Sequence, residues 1–359
     1  MKILVVHATA GAGHKKAAEA VHQGLVADGH NAMLVDALDY TNPFFKITYP
    51  ASYTLMVTKM PFLWAFFFST LNIPALQPLV KIVRRIYNGL NAQGLQKFII
   101  DEQFDCIITT QFLSAEVSAY LKRTGKIKSK VICVVTDFDV HRIWVNDGID
   151  IYTGACPFTK DKLIALGVHP DRAFVTGIPT LSQFAKEVDV SQLKAQFKLF
   201  PQALTVLVAT GSFGMGPIEE LIDGLKGYHV MVVCGHNKTL YEKLIPKAGP
   251  YVHIWGLVNN MDELMSVADV MVTKPGGLSI AEALVKKLPM LFFSAIPGQE
   301  MQNIFVLKKY GVATDQMTVQ QIITTVDDLN ASPGQLAKLR AAMEVLAKPS
   351  AVKDIISLI

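Results

Sequence analysis

The chain has 359 residues, of which 51% are hydrophobic and 18% charged, and its formal net charge is +4. This length exceeds a single ordinary core and suits two domains of about 150–200 residues each. The mean hydropathy of +0.32 is high for a water-soluble enzyme and indicates contact with lipid. The weak positive charge does not support a nucleic-acid partner, but it is compatible with an anionic membrane surface.

Four cysteines are scattered along the chain without a Cys-x-x-Cys pair or a His/Cys spacing typical of a zinc site. Cys106, Cys133 and Cys234 fall in strand-like apolar runs, which predicts buried free thiols in a reducing cytosol. The first residues, MKILVVHATAGAGH, contain a short apolar run that ends in glycines. We expect a β-strand there and no signal peptide, which needs a longer apolar core and a cleavage site.

The first half of the chain begins with a strand, a glycine-rich turn, a helix and a second strand. The apolar run 3–7 leads into Gly11-Ala12-Gly13-His14, and apolar residues then follow at helical spacing as far as Gly29. This alternation is typical of a doubly wound α/β domain. It continues with strands predicted at 33–35, 106–109, 130–135, 151–153 and 173–176, and helices at 114–123 and 159–166.

Residues 42–91 contain no acidic residue, and no charged side chain occurs in the 21 residues between Lys59 and Lys81. That length would allow a membrane span, but Pro61, Pro74 and Pro78 argue against one continuous helix. We interpret the segment from about 43 to 90 as an interfacial or groove-forming insertion, with a buried helical insertion as the alternative. Its expected membrane or acceptor contacts are Phe62, Trp64, Phe66, Phe67, Arg84 and Arg85, with Lys46, Lys59 and Lys81 as further basic residues.

The doubly wound pattern starts again in the second half. A strand at 204–209 leads into a glycine turn at 210–216 and a helix at 217–225. Two copies of this unit, one at the start of each half, predict an α/β protein of two Rossmann-like domains facing across a cleft. Further strands are predicted at 230–234, 252–255, 269–273 and 290–293, and helices at 261–267, 334–346 and 352–359.

The turn Gly211–Gly216 could bring backbone N–H groups to an anion at a helix N-terminus, or it could simply connect a strand to a helix. It is not a Walker loop, because no Gly-Lys-Ser/Thr follows. In the first loop, the dinucleotide pattern Gly-x-Gly-x-x-Gly fails at Lys16. Asp36 does end the second strand, so an NAD enzyme stays a minor alternative.

Glu282 lies early in a helix that starts at Gly276-Gly277, where a carboxylate could accept both hydroxyls of a ribose or merely complement the helix dipole. Gln299 and Glu300 follow the Pro297-Gly298 turn, so their side chains could bind sugar hydroxyls or cap a helix.

Two residues are candidate general bases. His14 lies in the first turn of a helix, where the helix dipole disfavours the imidazolium and keeps a neutral ring able to accept a proton. Asp137 ends a strand and is the second candidate. Helix capping by His14 and turn formation by Asp137 are the purely structural interpretations.

Together these motifs resemble the GT-B glycosyltransferases that include plant-type monogalactosyldiacylglycerol synthases and bacterial processive diacylglycerol glucosyltransferases. The chain is more distantly similar to the transferase that adds N-acetylglucosamine to the peptidoglycan lipid intermediate. The matching segments are 11–18, 135–144, 176–179, 233–237, 274–283 and 297–303. They span most of the chain in the order found in the family.

The resemblance implies an inverting, metal-independent transfer from a UDP-hexose to diacylglycerol, without a cofactor, at the cytoplasmic face of the cell membrane. Residues 1–180 would bind acceptor and membrane, and residues 181–359 the UDP-sugar, with the last helix packing back on the first domain. A polyprenyl-linked acceptor and a non-catalytic sugar-nucleotide-binding module are the alternatives. The choice between glucose and galactose, the number of sugars added and the oligomeric state stay open.

The resemblance also assigns roles to single residues. The diphosphate would be held by Gly211, Ser212, Gly214 and Gly277, the uracil by backbone groups of Gly256 and Leu257, the ribose by Glu282, and the hexose by Gln299 and Glu300. His14 and Asp137 would lie near the acceptor hydroxyl, in a region that includes Gly11 and Gly13. Phe213 and Met215 depart from the family's more glycine-rich phosphate loop.

Overall fold

The computed structural model describes residues 1–9, 11–211, 214 and 216–359. The chain divides into two compact units. The first comprises Met1–Leu181, Ile296–Gln302 and Ser350–Ile359, and the second comprises Ser182–Ala295 and Asn303–Pro349. The segment 296–302, which the prediction assigned to the second domain, groups with the first unit, where Gly298 lies near Phe68 and Gln299 contacts Asp137.

Six strands among the described residues of the first unit form one parallel sheet in the order β2-β1-β3-β4-β5-β6. Strand order reverses between β1 and β3, so ligands are expected beyond the carboxyl ends of these strands. The strands are β1 Lys2–His7, β2 Asn31–Asp36, β3 Cys106–Thr109, β4 Lys130–Val134, β5 Ile151–Gly154 and β6 Ala173–Val175.

Helices cover this sheet and bury its apolar side chains. Ile3, Val5 and Ile108 pack against α1, while Leu4 and Val6 pack against α5 and α6 on the other face. The helices are α1 Ala12–Ala27, α2 Pro43–Lys59, α3 Pro61–Thr70, α4 Gln77–Asn91, α5 Gln93–Glu102, α6 Phe112–Arg123 and α7 Pro157–Ala165.

The insertion is helical. Asn42 starts α2, because its side chain accepts a hydrogen bond from the Phe45 N–H at 2.8 Å. In α3, whose residues are all described, no side chain is fully buried. Phe62 is 86% exposed and Phe66 is 63% exposed. These exposed rings argue against the alternative of a buried insertion.

Among the described residues, no helix is by itself long and apolar enough to cross a membrane. The pair Pro61–Thr70 and Pro74–Asn91 meets the length and composition criteria only together, and a bend of 75° separates its two members.

The second unit contains a five-stranded parallel sheet, in the order β11-β10-β7-β8-β9 among its described residues. Its strand order reverses between β7 and β10. The strands are β7 Thr205–Ala209, β8 His229–Val233, β9 Val252–Trp255, β10 Val270–Thr273 and β11 Met290–Phe292. Predicted and observed strand ends differ by one or two residues, as is usual for element boundaries.

The helices from residue 190 onward are α8 Val190–Gln196, α9 Ile218–Gly224, α10 Lys238–Leu244, α11 Met261–Val267, α12 Gly277–Val285, α13 Gln299–Lys309, α14 Val319–Ala331, α15 Pro333–Met343 and α16 Ala351–Ile356. The last of these belongs to the first unit and packs on α1, where Gly24 leaves room for the Val352 side chain.

Candidate functional site

His14 is the third residue of α1, at the carboxyl edge of the first sheet. Its Nδ1 lies 2.8 Å from the carbonyl oxygen of Thr110 and 2.9 Å from the hydroxyl oxygen of Thr136. A carbonyl oxygen only accepts hydrogen bonds, so Nδ1 carries the proton and donates it. The other ring nitrogen, Nε2, is therefore the atom that can take a proton from a substrate.

Burial lowers the pKa of His14 to about 4, because the imidazolium loses its hydration. The hydrogen bond to Thr110 raises this pKa, and the nearby His7 lowers it. The ring of Trp144 lies with its centroid 6.0 Å from that of His14. The imidazole is consequently neutral at pH 7, as a general base must be before it accepts a proton.

Asp137 follows β4 and is 8% exposed. The side-chain amide of Gln299 donates to both of its carboxylate oxygens, at 3.2 and 3.1 Å. The side chain of Glu300 accepts a hydrogen bond from the Ile296 N–H at 2.7 Å, which closes the turn before α13. The structure thus brings one predicted hexose-binding residue, Gln299, next to one candidate base.

Beside these two candidate bases lies a cavity of about 590 Å³. Its wall from the insertion is mostly apolar and consists of Tyr49, Ser52, Tyr53, Met56, Trp64, Phe67, Phe68, Ser69, Leu71, Asn72, Ile73 and Pro74. The rest of its lining is His14, Gln111, Phe112, Asp137, Asp139, His141, Ile143, Trp144, Lys162, Gly298, Gln299 and Gln302. Every lining residue belongs to the first unit.

The predicted acceptor and membrane residues fall into two groups. Trp64 and Phe67 line the cavity, whereas Phe62 and Phe66 point into solvent. In the loop before α1, Gly11 has a φ of 116°, a conformation that favours glycine, and Gly13 lies in the first turn of α1.

His141 connects the insertion to the loop after β4, a role that sequence reasoning missed. Its Nε2–H donates to the carbonyl oxygen of Phe68 at 2.8 Å, and the two ring centroids are 4.3 Å apart. Burial lowers the pKa of His141 to about 4, so the ring is neutral at pH 7. Beside it, the Arg142 N–H donates to the side chain of Asn72 at 3.3 Å. These contacts hold the end of α3 against the cavity.

Arg84 does not face lipid, and the expectation that it would is wrong. Its Nε lies 2.6 Å from a carboxylate oxygen of Glu116, and its terminal nitrogens donate to the Ile143 carbonyl at 3.0 Å and to the Asn146 side chain at 2.6 Å. Burial raises the pKa of Glu116, while Arg84 lowers it. Arg85, the next residue of α4, is exposed and remains available to an anionic surface.

At the carboxyl edge of the second sheet, the predicted donor site is built from small residues. The Gly214 N–H donates to the Gly211 carbonyl at 3.2 Å. Gly214 has a φ of 53°, and an added Cβ would lie 2.9 Å from the Cys234 carbonyl oxygen, so only glycine fits there. Ser212 lies outside the described residues, as do Phe213 and Met215.

The other predicted donor residues lie on neighbouring elements of the second unit. Gly277 is buried and begins α12, and Glu282 is half-buried in the next turn of that helix. The Gly256 carbonyl accepts a hydrogen bond from the Gly235 N–H at 3.2 Å, and Leu257 is 62% exposed. In the part of the chain that the structure describes, no group of three His, Cys, Asp or Glu side chains could hold a metal ion.

Two family models cover most of the chain. Residues 14–180 match the model described as monogalactosyldiacylglycerol (MGDG) synthase, and residues 205–358 match the model described as glycosyltransferase family 28 C-terminal domain. The processive diacylglycerol beta-glucosyltransferase of Bacillus pumilus (strain SAFR-032) is 30% identical over 357 residues, which cover 96% of this chain and 91% of that protein.

Solved structures share the fold. MurG of Acinetobacter baumannii has a TM-score of 0.62 at 13% identity, with 99% of this chain and 98% of that chain covered. Alr3699/HepE of Anabaena, solved in complex with UDP, has a TM-score of 0.59 at 15% identity, with 100% and 99% covered. These likenesses confirm the predicted GT-B fold class.

Proposed function

Because the chain belongs to the glycosyltransferase family of monogalactosyldiacylglycerol synthases and processive diacylglycerol glucosyltransferases, we propose that it transfers a hexose from a UDP-hexose to diacylglycerol. The observation that carries this proposal is the cavity next to His14 and Asp137. The residues that the insertion contributes to its wall are mainly apolar and aromatic. Diacylglycerol has a single hydroxyl on an otherwise apolar body. It therefore needs a proton acceptor at the end of an apolar site.

In this proposal the carboxyl edge of the second sheet binds the nucleotide. Backbone N–H groups of glycine turns suit a diphosphate, and the helix dipole of α12 adds to the attraction. Glu282 would accept the ribose hydroxyls, while Gln299 and Glu300 would bind the hexose. The diphosphate would be held by Gly211, Ser212, Gly214 and Gly277, and the uracil by backbone groups of Gly256 and Leu257.

The proposed reaction is a single displacement. The acceptor oxygen bonds to C1 of the hexose from the face opposite the diphosphate, the C1–O bond to UDP breaks, and the configuration at C1 inverts. His14 Nε2 takes the proton of the acceptor hydroxyl. Negative charge grows on the departing diphosphate, where preorganised N–H groups stabilise it, so the proposal includes neither a metal nor a cofactor.

The exposed part of the insertion would dock on a membrane. Phe62 and Phe66 present aromatic rings to solvent, and the exposed Arg85 adds a positive charge in the same insertion. Aromatic and basic side chains of this kind bind the interface of an anionic bilayer. We therefore place the protein peripherally on the cytoplasmic face of the cell membrane, where UDP-sugars and diacylglycerol meet.

The test is a thin-layer chromatography assay with diacylglycerol vesicles and UDP-glucose or UDP-galactose in parallel. The matched relative is named for glucose and the matching family model for galactose, so both donors are needed. We expect a hexosyl-diacylglycerol and stoichiometric UDP. Product formed only with a polyprenyl-linked acceptor would contradict the proposal, and UDP-sugar binding without transfer to any lipid would indicate a binding module.

A further inference from the structure

Tyr49 and Gln111 form a polar pair inside the apolar cavity, and the proposed transfer does not use it. Both side chains line the cavity. The Gln111 side-chain nitrogen donates to the Tyr49 hydroxyl oxygen at 3.1 Å. The Gln111 oxygen accepts the backbone N–H of Leu113 at 2.7 Å, at the start of α6. Because that backbone group only donates, the amide oxygen must face it and the amide nitrogen must face Tyr49.

This arrangement leaves the Tyr49 hydroxyl free to donate to a second partner, and Tyr49 lines the cavity. Its oxygen already accepts from Gln111, so its own proton is directed to another partner. Burial raises the pKa of Tyr49, and the hydroxyl keeps its proton at any working pH. The ring is held in place by Phe45, which stacks on it with centroids 4.9 Å apart. Gln111 is fully buried, which fixes the other half of the pair.

The same loop after β3 positions both this donor and the candidate base. Thr110 orients His14 through its carbonyl group, and Gln111, the next residue, holds Tyr49. His14 and Tyr49 are therefore fixed relative to one another, and both line one cavity. A ligand that fits both residues carries a hydroxyl for the imidazole and an oxygen acceptor for the phenol.

We propose that Tyr49 determines acceptor specificity by donating a hydrogen bond to an ester carbonyl oxygen of a glycerolipid. The inference rests on the proposed function and deepens it. In 1,2-diacylglycerol one ester is attached to the carbon adjacent to the one that bears the free hydroxyl, whereas an ether lipid has no carbonyl oxygen there. A phenol left without an acceptor in an apolar cavity is penalised, so lipids without that carbonyl are disfavoured.

The experiment compares 1,2-diacylglycerol with the 1,2-dialkylglycerol of the same chain length, using kcat/KM for hexose transfer. We expect the kcat/KM of the wild-type protein to be roughly 10-fold higher for the ester, which is the effect expected of one hydrogen bond to a substrate. Tyr49→Phe should lower kcat/KM for the ester by up to roughly 10-fold and should not lower it for the ether, so that the preference disappears.

Tyr53→Phe is the matched control, one helical turn away on α2 and in the same cavity. Burial raises the pKa of Tyr53, as do the nearby Glu300, Asp137 and Tyr49 side chains. Because Gln111 donates to the Tyr49 hydroxyl, Tyr53→Phe leaves that hydrogen bond in place. We expect this variant to keep the wild-type ester preference even where its kcat/KM is lower for both lipids.

Equal use of both lipids by the wild-type protein would overturn the inference, and so would an equal loss on both lipids in Tyr49→Phe. Either result leaves hexose transfer to diacylglycerol intact, so the proposed function would stand. If the wild-type protein transfers hexose to neither glycerolipid, the proposed function fails and this inference fails with it.

Discussion

The carboxyl edges of the two parallel sheets carry different kinds of chemistry. The first edge presents functional side chains that are held by neighbouring groups, since the Thr110 carbonyl orients His14 and the Gln299 amide contacts Asp137. The second edge presents a backbone turn with positive φ at Gly211 and Gly214. The first should therefore be sensitive to the loss of single functional groups, and the second to changes in shape or in a binding contact.

The insertion creates much of this difference. In the first unit, α2 and α3 follow β2 and provide one wall of the cavity. In the second unit, only the short helix α10 and one 3₁₀ turn separate β8 from β9. The same sheet architecture thus carries a cavity with a mainly apolar wall where the insertion follows β2, and has no comparable insertion between β8 and β9.

Loss of the His14 ring tests the chemistry of the first edge. We expect His14→Ala to lower kcat by roughly 100-fold or more, because it removes the proposed base. UDP affinity, measured by calorimetry, should stay near the wild-type value. If Asp137→Asn causes the large loss of kcat and His14→Ala does not, Asp137 and not His14 is the general base.

Arg84 and Arg85 are adjacent in α4, and they test the difference between a buried ion pair and an exposed charge. Arg84→Ala should lower the free energy of unfolding in urea by about 3 kcal/mol, because it leaves the buried Glu116 without its ion-pair partner. Arg85→Ala should leave stability unchanged and weaken binding to anionic vesicles by roughly 5-fold. The opposite pattern, with Arg84 controlling vesicle binding and Arg85 controlling stability, would refute the assignment.

At the second edge, Glu282→Ala should weaken UDP binding by roughly 10-fold, because ribose contacts act in the ground state and the transition state alike. Isothermal titration calorimetry measures this directly. Glu344→Ala is the control, since Glu344 is paired with Lys287 by a surface salt bridge and lies outside the proposed donor site. An unchanged UDP affinity in Glu282→Ala would show that Glu282 does not bind the ribose.

A glycine in each unit permits close helix packing, and the two should respond differently to alanine. A Cβ on Gly24 would overlap the stiff, β-branched Val352, whereas a Cβ on Gly224 would meet the flexible end of Ile323. Alanine is otherwise favoured in helices. We expect Gly24→Ala to cost about 1 kcal/mol of unfolding free energy and Gly224→Ala about zero. Equal losses would mean that the two contacts are alike.

The smallest expected effect is that of pH near neutrality. The active form of His14 is the neutral ring, and its lowered pKa of about 4 keeps the ring neutral well below pH 7. The acid limb of kcat/KM should therefore fall near pH 4, with little change between pH 5.5 and 7.5 attributable to this residue. An acid limb near the ordinary histidine pKa of 6.5 would show that His14 is not held as the structure has it.

Sequence reasoning located most regular elements because apolar periodicity is a local signal. The strand Cys106–Thr109 and the helix Met261–Val267 agree with their predicted bounds. It missed α14, although Thr318 and Gln321 form a capping box that signals a helix start. The family resemblance also predicted that His14 and Asp137 lie near each other, and both residues line the same cavity in the structure.

The amino-acid sequence by itself determined the family, the two Rossmann-like units and the apolar character of the insertion, all of which depend on local patterns and motifs. Only the tertiary structure decided which of two adjacent arginines is paired internally, and that Tyr49 meets Gln111 across 62 positions of sequence. Local patterns do not specify such pairings. A side chain's partner depends on how helices and strands that are distant in sequence pack together.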